Sequence, residues 1–128
     1  MVGIRDINNA FTAILVEEDN MIIGLNHTGF VVSNLEESAK FYQDVIGLDL
    51  ADSFERQGPK MSQVIGYPNA HLKINMFDLG SNHMLELIEY VYPEPYQRPT
   101  EHRSVIGGSH IAFTVENIYE TWSDLKLK

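Results

Sequence analysis

The sequence predicts an α+β fold of paired β-α-β-β-β modules, the second of which is incomplete in this chain. The main observation is an internal repeat, because residues 26–37 (NHTGFVVSNLEE) return as residues 109–120 (SHIAFTVENIYE). Five of the twelve positions are identical: His27/His110, Phe30/Phe113, Val32/Val115, Asn34/Asn117 and Glu37/Glu120. The second observation is the order of the hydrophobic patterns, in which one strand and one helix are followed by three further strands.

The first module begins with a strand and a helix. The stretch IIGLNHTGFVV is apolar on both faces, with Ile23, Leu25, His27 and Val31 on one face. Asn34 is expected to cap the helix that follows, with Glu37 as its capping-box partner. Gly47 comes directly after the apolar stripe of this helix and is expected to end it.

Three strand-like segments complete the first module. They are LDLADSFE, HLKINMFDLG and HMLELIEY, and the first two are separated by a polar loop over residues 57–70. The turn Gly80-Ser81-Asn82 predicts that the last two strands form a hairpin. After a proline-rich connector, the repeat predicts a strand over residues 109–115 and a helix that begins at Asn117.

Composition excludes several classes of function. The chain has 128 residues, of which 44% are hydrophobic, and its net charge is −9, which argues against a nucleic-acid or anionic-membrane partner. It has no cysteine, so disulfides and thiolate metal sites are excluded. There is no apolar run of membrane-spanning length and no signal-peptide pattern, and the cytoplasm is therefore the expected location.

This arrangement resembles the vicinal oxygen chelate superfamily, which includes glyoxalase I, methylmalonyl-CoA epimerase, extradiol dioxygenases and the fosfomycin and bleomycin resistance proteins. The resemblance is carried by NHTGFVVSNLEESAKFYQDVIGL, HMLELIEY and GGSHIAFTVENI. It implies an N-terminal extension at residues 1–22 and a glyoxalase-like domain at 23–128. The domain is divided into module one (23–90), a connector (91–108) and a partial module two (109–128).

The resemblance also implies a divalent metal ion bound by His27, Glu86 and His110, with Glu86 as the catalytic carboxylate. The residues themselves support this interpretation, since two strand histidines related by a repeat converge if the modules pack about a two-fold axis. Glu86 lies on an otherwise apolar strand face, where a carboxylate is costly unless a cation or hydrogen bonds compensate. Such a donor set suits Zn, Ni, Co, Mn or Fe(II) and does not distinguish among them.

The sequence offers less support for a functional role of the other polar and aromatic residues. Glu89 lies on the opposite strand face from Glu86 and is the weaker ligand candidate. The other histidines (His71, His83 and His102) are expected to be exposed or structural, Trp122 is expected to pack in the core, and Asn75 is left unassigned. Arg98 and Arg103 have two interpretations: they are charged residues of the solvated surface, or they bind an anionic group of a substrate.

The leading functional hypothesis is a metal-dependent lyase or isomerase of the glyoxalase I type, acting on a small 2-oxo compound or its thiol adduct. The alternatives are an extradiol-type Fe(II) dioxygenase and a non-catalytic small-molecule binding protein like those for bleomycin resistance. The expected partners are a small-molecule substrate and a second copy of the chain in a homodimer.

The second copy of the repeat stops soon after its helix, so three strands are expected to be missing from module two. An open sheet of this kind would expose an edge and an apolar face. We therefore expect either a longer parent protein or coverage by another chain, and weak metal binding by this chain on its own.

Overall fold

A computed structural model describes residues 22, 24–97, 100, 102 and 104–128. The predicted N-terminal extension therefore lies outside the described residues except for Ile22, which is exposed. The described elements are β1 (His27–Val31), α1 (Leu35–Lys40), a π-helical continuation (Phe41–Ile46), β2 (Asp49–Gln57), α2 (Pro59–Ile65), β3 (His71–Asp78), β4 (Met84–Tyr92) and α3 (Ile118–Leu125).

The four strands form one mixed sheet in the order β1-β4-β3-β2. β1 runs parallel to β4, whereas β2 and β4 both run antiparallel to β3. Gly80, Ser81 and Asn82 all have positive φ in the turn between β3 and β4, as tight hairpin turns require. The predicted α+β class is confirmed, and the four strands and the first helix of module one follow the predicted order, with one additional helix between β2 and β3.

The helix of the first module begins and ends at the predicted residues. The Asn34 side chain accepts a hydrogen bond from the Glu37 backbone N–H at 3.0 Å, which satisfies one of the free N–H groups of the first turn. Gly47 adopts the left-handed conformation (φ 87°) after the π-helical segment, a position where glycine has no side chain to clash.

One face of the sheet packs against α1 and forms the main core. The buried cluster consists of Leu35 and Ala39 of α1 with Phe77, Leu85 and Leu87 of the sheet. Complete burial of one such side chain contributes about 1.5–3 kcal/mol. Because side chains alternate along a strand, this packing leaves the other face of β1, β3 and β4 free to carry a site.

Residues 57–70 were predicted to be a loop, and this prediction is wrong over Pro59–Ile65, which forms α2. The polar residues of this segment, together with Gly58 and Pro59, favour a loop. Gly58 instead adopts φ 96° just before the helix, and Pro59 stands at its start, where its missing N–H and fixed φ are favourable.

The strand predicted over residues 109–115 is also not formed, although the helix after it is. Asn117 caps α3 by accepting hydrogen bonds from the N–H groups of Tyr119 and Glu120. In the first module, β1 forms its inter-strand hydrogen bonds with β4. In the described part of the chain, no strand pairs in this way with residues 109–115. Ile111 packs against the core cluster instead.

Trp122 was expected to pack in the core, and this expectation is wrong. Its side chain is 62% exposed on α3, and the Lys126 ammonium lies 5.5 Å from the centre of its ring. In the part of the chain that the structure covers, no helix has the length and apolar character needed to cross a membrane.

We expect Asn34→Ala to lower the free energy of unfolding by about 1 kcal/mol, because it removes the side-chain cap of α1. Chemical denaturation followed by circular dichroism measures the change. Asn34→Ser is the matched control, since serine supplies another acceptor at the same position and should retain most of the stability. Equal losses in both variants would contradict the capping role.

Candidate functional site

The free face of the sheet carries two of the three residues predicted to bind metal. In the parallel pairing of β1 with β4, His27 is in register with Met84 and Gly29 with Glu86. Side chains of paired residues point to the same side of a sheet. His27 and Glu86 therefore lie on one face, opposite to the face that α1 covers.

The two side chains are in contact. The distance from His27 Nε2 to Glu86 Oε2 is 3.4 Å, and the side chains are 44% and 16% exposed respectively. Glu86 is thus mostly withdrawn from water on a face that it shares with the apolar residues Met84 and Ile88. A carboxylate in this position is costly unless a cation or hydrogen bonds compensate it.

The neighbouring residue fixes which nitrogen of His27 faces the carboxylate. The Nδ1–H of His27 donates to the Asn26 side-chain oxygen at 2.7 Å. In a neutral imidazole this leaves the lone pair on Nε2, which is the tautomer that binds metals through Nε2. The lone pair and the Glu86 carboxylate repel each other unless a proton or a metal cation lies between them.

Gly29 makes room for the carboxylate. A Cβ atom at this position would lie 2.9 Å from Glu86 Oε2, which is closer than ordinary van der Waals contact. A glycine inside a strand is otherwise unfavourable and often marks a close approach of another group. In this strand, the approaching group is the carboxylate of Glu86.

The distance between His27 Nε2 and Glu86 Oε2 is compatible with both atoms binding one divalent ion. Two ligand atoms that are each about 2.1 Å from an ion and about 109° apart are separated by about 3.4 Å, the geometry of a tetrahedral site. Imidazole nitrogen and carboxylate oxygen also suit the divalent transition metals. His27 and Glu86 therefore fit two positions of a metal centre.

His110 does not join this pair within one chain. It is exposed in the irregular segment before α3, and the described residues contain no group of three or more His, Asp or Glu side chains placed to hold an ion. The assignment of His110 as a ligand stays a prediction.

Glu89 occupies the opposite face, as its spacing from Glu86 predicts, and there it binds the helix. Its Oε2 accepts a hydrogen bond from the Leu35 backbone N–H at 2.6 Å. A carboxylate is favourable at this end of a helix because of the helix dipole. Asn75 lies on the same helix-covered side and is also buried, so neither residue belongs to the site.

The remaining predicted residues lie away from the pair. His83 is hydrogen-bonded to Thr28, His71 to Glu55, and His102 to Ser104. Arg98 and Arg103 fall outside the described residues. The sequence interpretation missed the roles of Asn26 and Gly29, although a glycine in the interior of a predicted strand is a signal of close approach.

The family model of the Glyoxalase/Bleomycin resistance protein/Dioxygenase superfamily matches residues 24–128. The chain belongs to this superfamily. Superfamily members generally use divalent metal ions, which agrees with the donor atoms that His27 and Glu86 present on the free face of the sheet.

Two curated relatives are epimerases. The chain is 29% identical over 99 residues to a 2-epi-5-epi-valiolone epimerase from Actinomyces sp, covering 75% of this chain and 54% of that protein. It is 27% identical over 104 residues to the mitochondrial methylmalonyl-CoA epimerase of Mus musculus, covering 81% of this chain and 52% of that protein. The chain thus spans about half the length of each.

A solved structure supports the fold. A glyoxalase family protein from Bacillus cereus superposes with a TM-score of 0.67 at 22% identity, covering 85% of this chain and 74% of that one. This likeness agrees with the β-α-β-β-β arrangement described above.

We expect Gly29→Ala to weaken metal binding about 10- to 100-fold, the usual cost of disturbing the support of a ligand. The added methyl group displaces the Glu86 carboxylate without removing either ligand. Calorimetric titration with Co²⁺ measures the affinity. Gly24→Ala is the matched control, because its Cβ would meet nothing within 4 Å; equal affinities in the two variants would contradict the close-approach argument.

Proposed function

We propose that this chain forms part of a metal-dependent isomerase of the epimerase type, which moves a proton on the carbon next to a carbonyl group. The observation that carries the proposal is the contact of His27 Nε2 with Glu86 Oε2 on the free sheet face. The two epimerase relatives support the isomerase over the lyase, the two reaction types that the leading sequence hypothesis left open.

His27 and Glu86 are the residues that would hold the ion. A bound divalent cation supplies Lewis-acid stabilisation of negative charge that develops on a substrate oxygen. The hydrogen bond from Nδ1 to Asn26 holds the ring of His27 in the orientation that presents Nε2. Gly29 keeps the carboxylate of Glu86 close to that nitrogen.

Glu86 also carries the proton in this proposal. Its Oε2 faces His27, which leaves Oε1 to take a proton from the substrate carbon. Inversion at that carbon requires a second acid on the opposite face of the planar enolate to return a proton, and Glu86 then loses the proton it took to solvent. The apolar neighbours Met84 and Ile88 limit the access of water to the carboxylate, which strengthens its electrostatic interactions. A positioned acid or base of this kind contributes about 10²- to 10⁴-fold to the rate.

The ligands beyond this pair are proposed to come from a second copy of the chain. His110 is exposed, so it is accessible to a neighbouring chain in a homodimer. The extradiol dioxygenase alternative leaves Glu86 unused, whereas the observed contact places Glu86 beside His27. The binding-protein alternative requires no proton transfer at all, and the exchange experiment below separates it from an isomerase.

We expect Glu86→Gln to slow proton exchange at least about 100-fold, because the amide does not serve as the base. The measurement is deuterium incorporation from D₂O, followed by NMR, into a polyhydroxylated cyclohexanone and a branched acyl thioester of coenzyme A. Glu89→Gln is the matched control on the same strand, and its exchange rate should stay near that of the wild type. Metal-independent exchange, or equal rates in both variants, would refute the proposal.

We further expect His27→Ala to abolish retention of a stoichiometric divalent ion, since it removes one of the two adjacent donors. Elemental analysis after gel filtration measures the bound metal. His83→Ala serves as the control histidine, because His83 bonds to Thr28 rather than to Glu86. A His27→Ala protein that keeps its metal would show that the ligand assignment is wrong.

A further inference from the structure

A cavity lined by tyrosines opens at the end of the sheet where β4 leads into the connector. This tyrosine pocket has a volume of about 520 Å³, and its main lining residues are Val31, Tyr67, Tyr90, Tyr92, Glu94 and Tyr96. Its described lining does not include His27 or Glu86, so the pocket is separate from the candidate metal centre. The sequence interpretation assigned no functional role to the lining residues, although YVYPEPY at residues 90–96 is strongly aromatic.

Two local features of the backbone bring the tyrosines together. The pairing of β4 with β3 shifts by one residue near the end of the hairpin, where Leu72 pairs with Tyr90 and His71 with Tyr92. An extra residue of this kind redirects the side chains around it, and Tyr90 and Tyr92 both line the pocket. Tyr67 comes directly after the left-handed glycine (φ 82°) that ends α2, and it reaches the same pocket from the other side of the sheet edge.

The lining combines aromatic ring faces with a carboxylate. The face of a tyrosine ring carries partial negative charge and attracts an organic cation that lies against it. Glu94 adds a full negative charge to the same lining. A neutral ligand would gain contact area from the rings alone, whereas a positively charged organic group gains from the rings and from the carboxylate.

The charges around the pocket act in the same direction. Burial raises the pKa of the Tyr90 phenol, with further contributions from Tyr67 and from Glu86. Tyr90 therefore keeps its proton at neutral pH, so its attraction for a cation comes from the ring face rather than from a phenolate. The negative charge of Glu86 reaches Tyr90, and the whole chain has a net charge of −9, which attracts cations at longer range.

We propose that the tyrosine pocket binds a small organic ammonium ion, with tyrosine ring faces against the cation and Glu94 as its counter-charge. The pocket volume lies in the range of about 300–1,000 Å³ that is usual for small-molecule sites. Tyr67 and Tyr92 are 50% and 48% exposed, so each ring contributes modestly and we expect a Kd of about 1 mM. This inference goes beyond the proposed function and does not depend on the contact of His27 with Glu86.

The first test compares choline with its neutral analogue, in which a carbon atom replaces the nitrogen and the shape is retained. Titration of the full chain followed by NMR measures both affinities. Choline should bind at least about fivefold more tightly, because only its trimethylammonium group is attracted by the ring faces and by Glu94. Equal affinities for the two compounds, or no saturable binding of choline, would overturn the proposal.

The second test uses substitutions in the lining. Tyr67→Ala should weaken choline binding about three- to fivefold, whereas Tyr67→Phe keeps the ring and should stay within about twofold of the wild type. Glu94→Gln should weaken choline binding about two- to fivefold and leave binding of the neutral analogue unchanged. Tyr119→Ala is the matched control, because Tyr119 is 82% exposed on α3 and lies outside the described lining of the pocket.

These variants also separate a ligand site from a protein contact. A choline affinity that Tyr67→Ala leaves unchanged, or that Tyr119→Ala lowers equally, contradicts the assignment of the pocket. Sedimentation of the same variants measures the oligomeric state. A Tyr67→Ala protein that changes its oligomeric state while its choline affinity is unchanged would assign the tyrosines to a contact between copies and overturn the proposal.

Discussion

Strand β1 pairs in parallel with β4, and the position of the candidate site depends on this pairing. A parallel pair requires a crossover connection, which α1 and the two intervening strands supply here. The register sets Gly29 opposite Glu86 and so brings a carboxylate from residue 86 against a histidine from residue 27. A shift of one residue in this register would send His27 to the helix-covered face and separate the two groups.

The two carboxylates of β4 show how strand alternation assigns different roles to similar residues. Glu86 and Glu89 are three positions apart, so they point to opposite faces. Glu89 meets the N–H of Leu35 and stabilises the start of α1, whereas Glu86 meets an imidazole on the free face. The same side chain is thus structural on one face and a candidate metal ligand on the other, because its neighbours differ.

The free face combines the polar pair of His27 and Glu86 with a nearby cavity lined by Tyr67, Tyr90, Tyr92 and Tyr96. His27 and Glu86 present a nitrogen and a carboxylate oxygen to each other, while the tyrosine rings present apolar contact area. A divalent ion held by His27 and Glu86 would add positive charge at this end of the face and would attract an electron-rich oxygen.

The sequence by itself determined the features that depend on short-range periodicity and on capping chemistry. The alternation of side chains along the strand placed Glu86 and Glu89 on opposite faces of the sheet. Asn34 and Asn117 marked the starts of two helices. The internal repeat identified the β-α-β-β-β module. The tertiary structure decided what depends on distant partners. Residues 109–115 have the pattern of a strand but no ladder partner among the described residues, so the same motif forms a strand in one copy and an irregular segment in the other. The close approach of Glu86 to Gly29 and the gathering of tyrosines from residues 67 and 90–96 likewise arise from long-range packing, which local patterns do not specify.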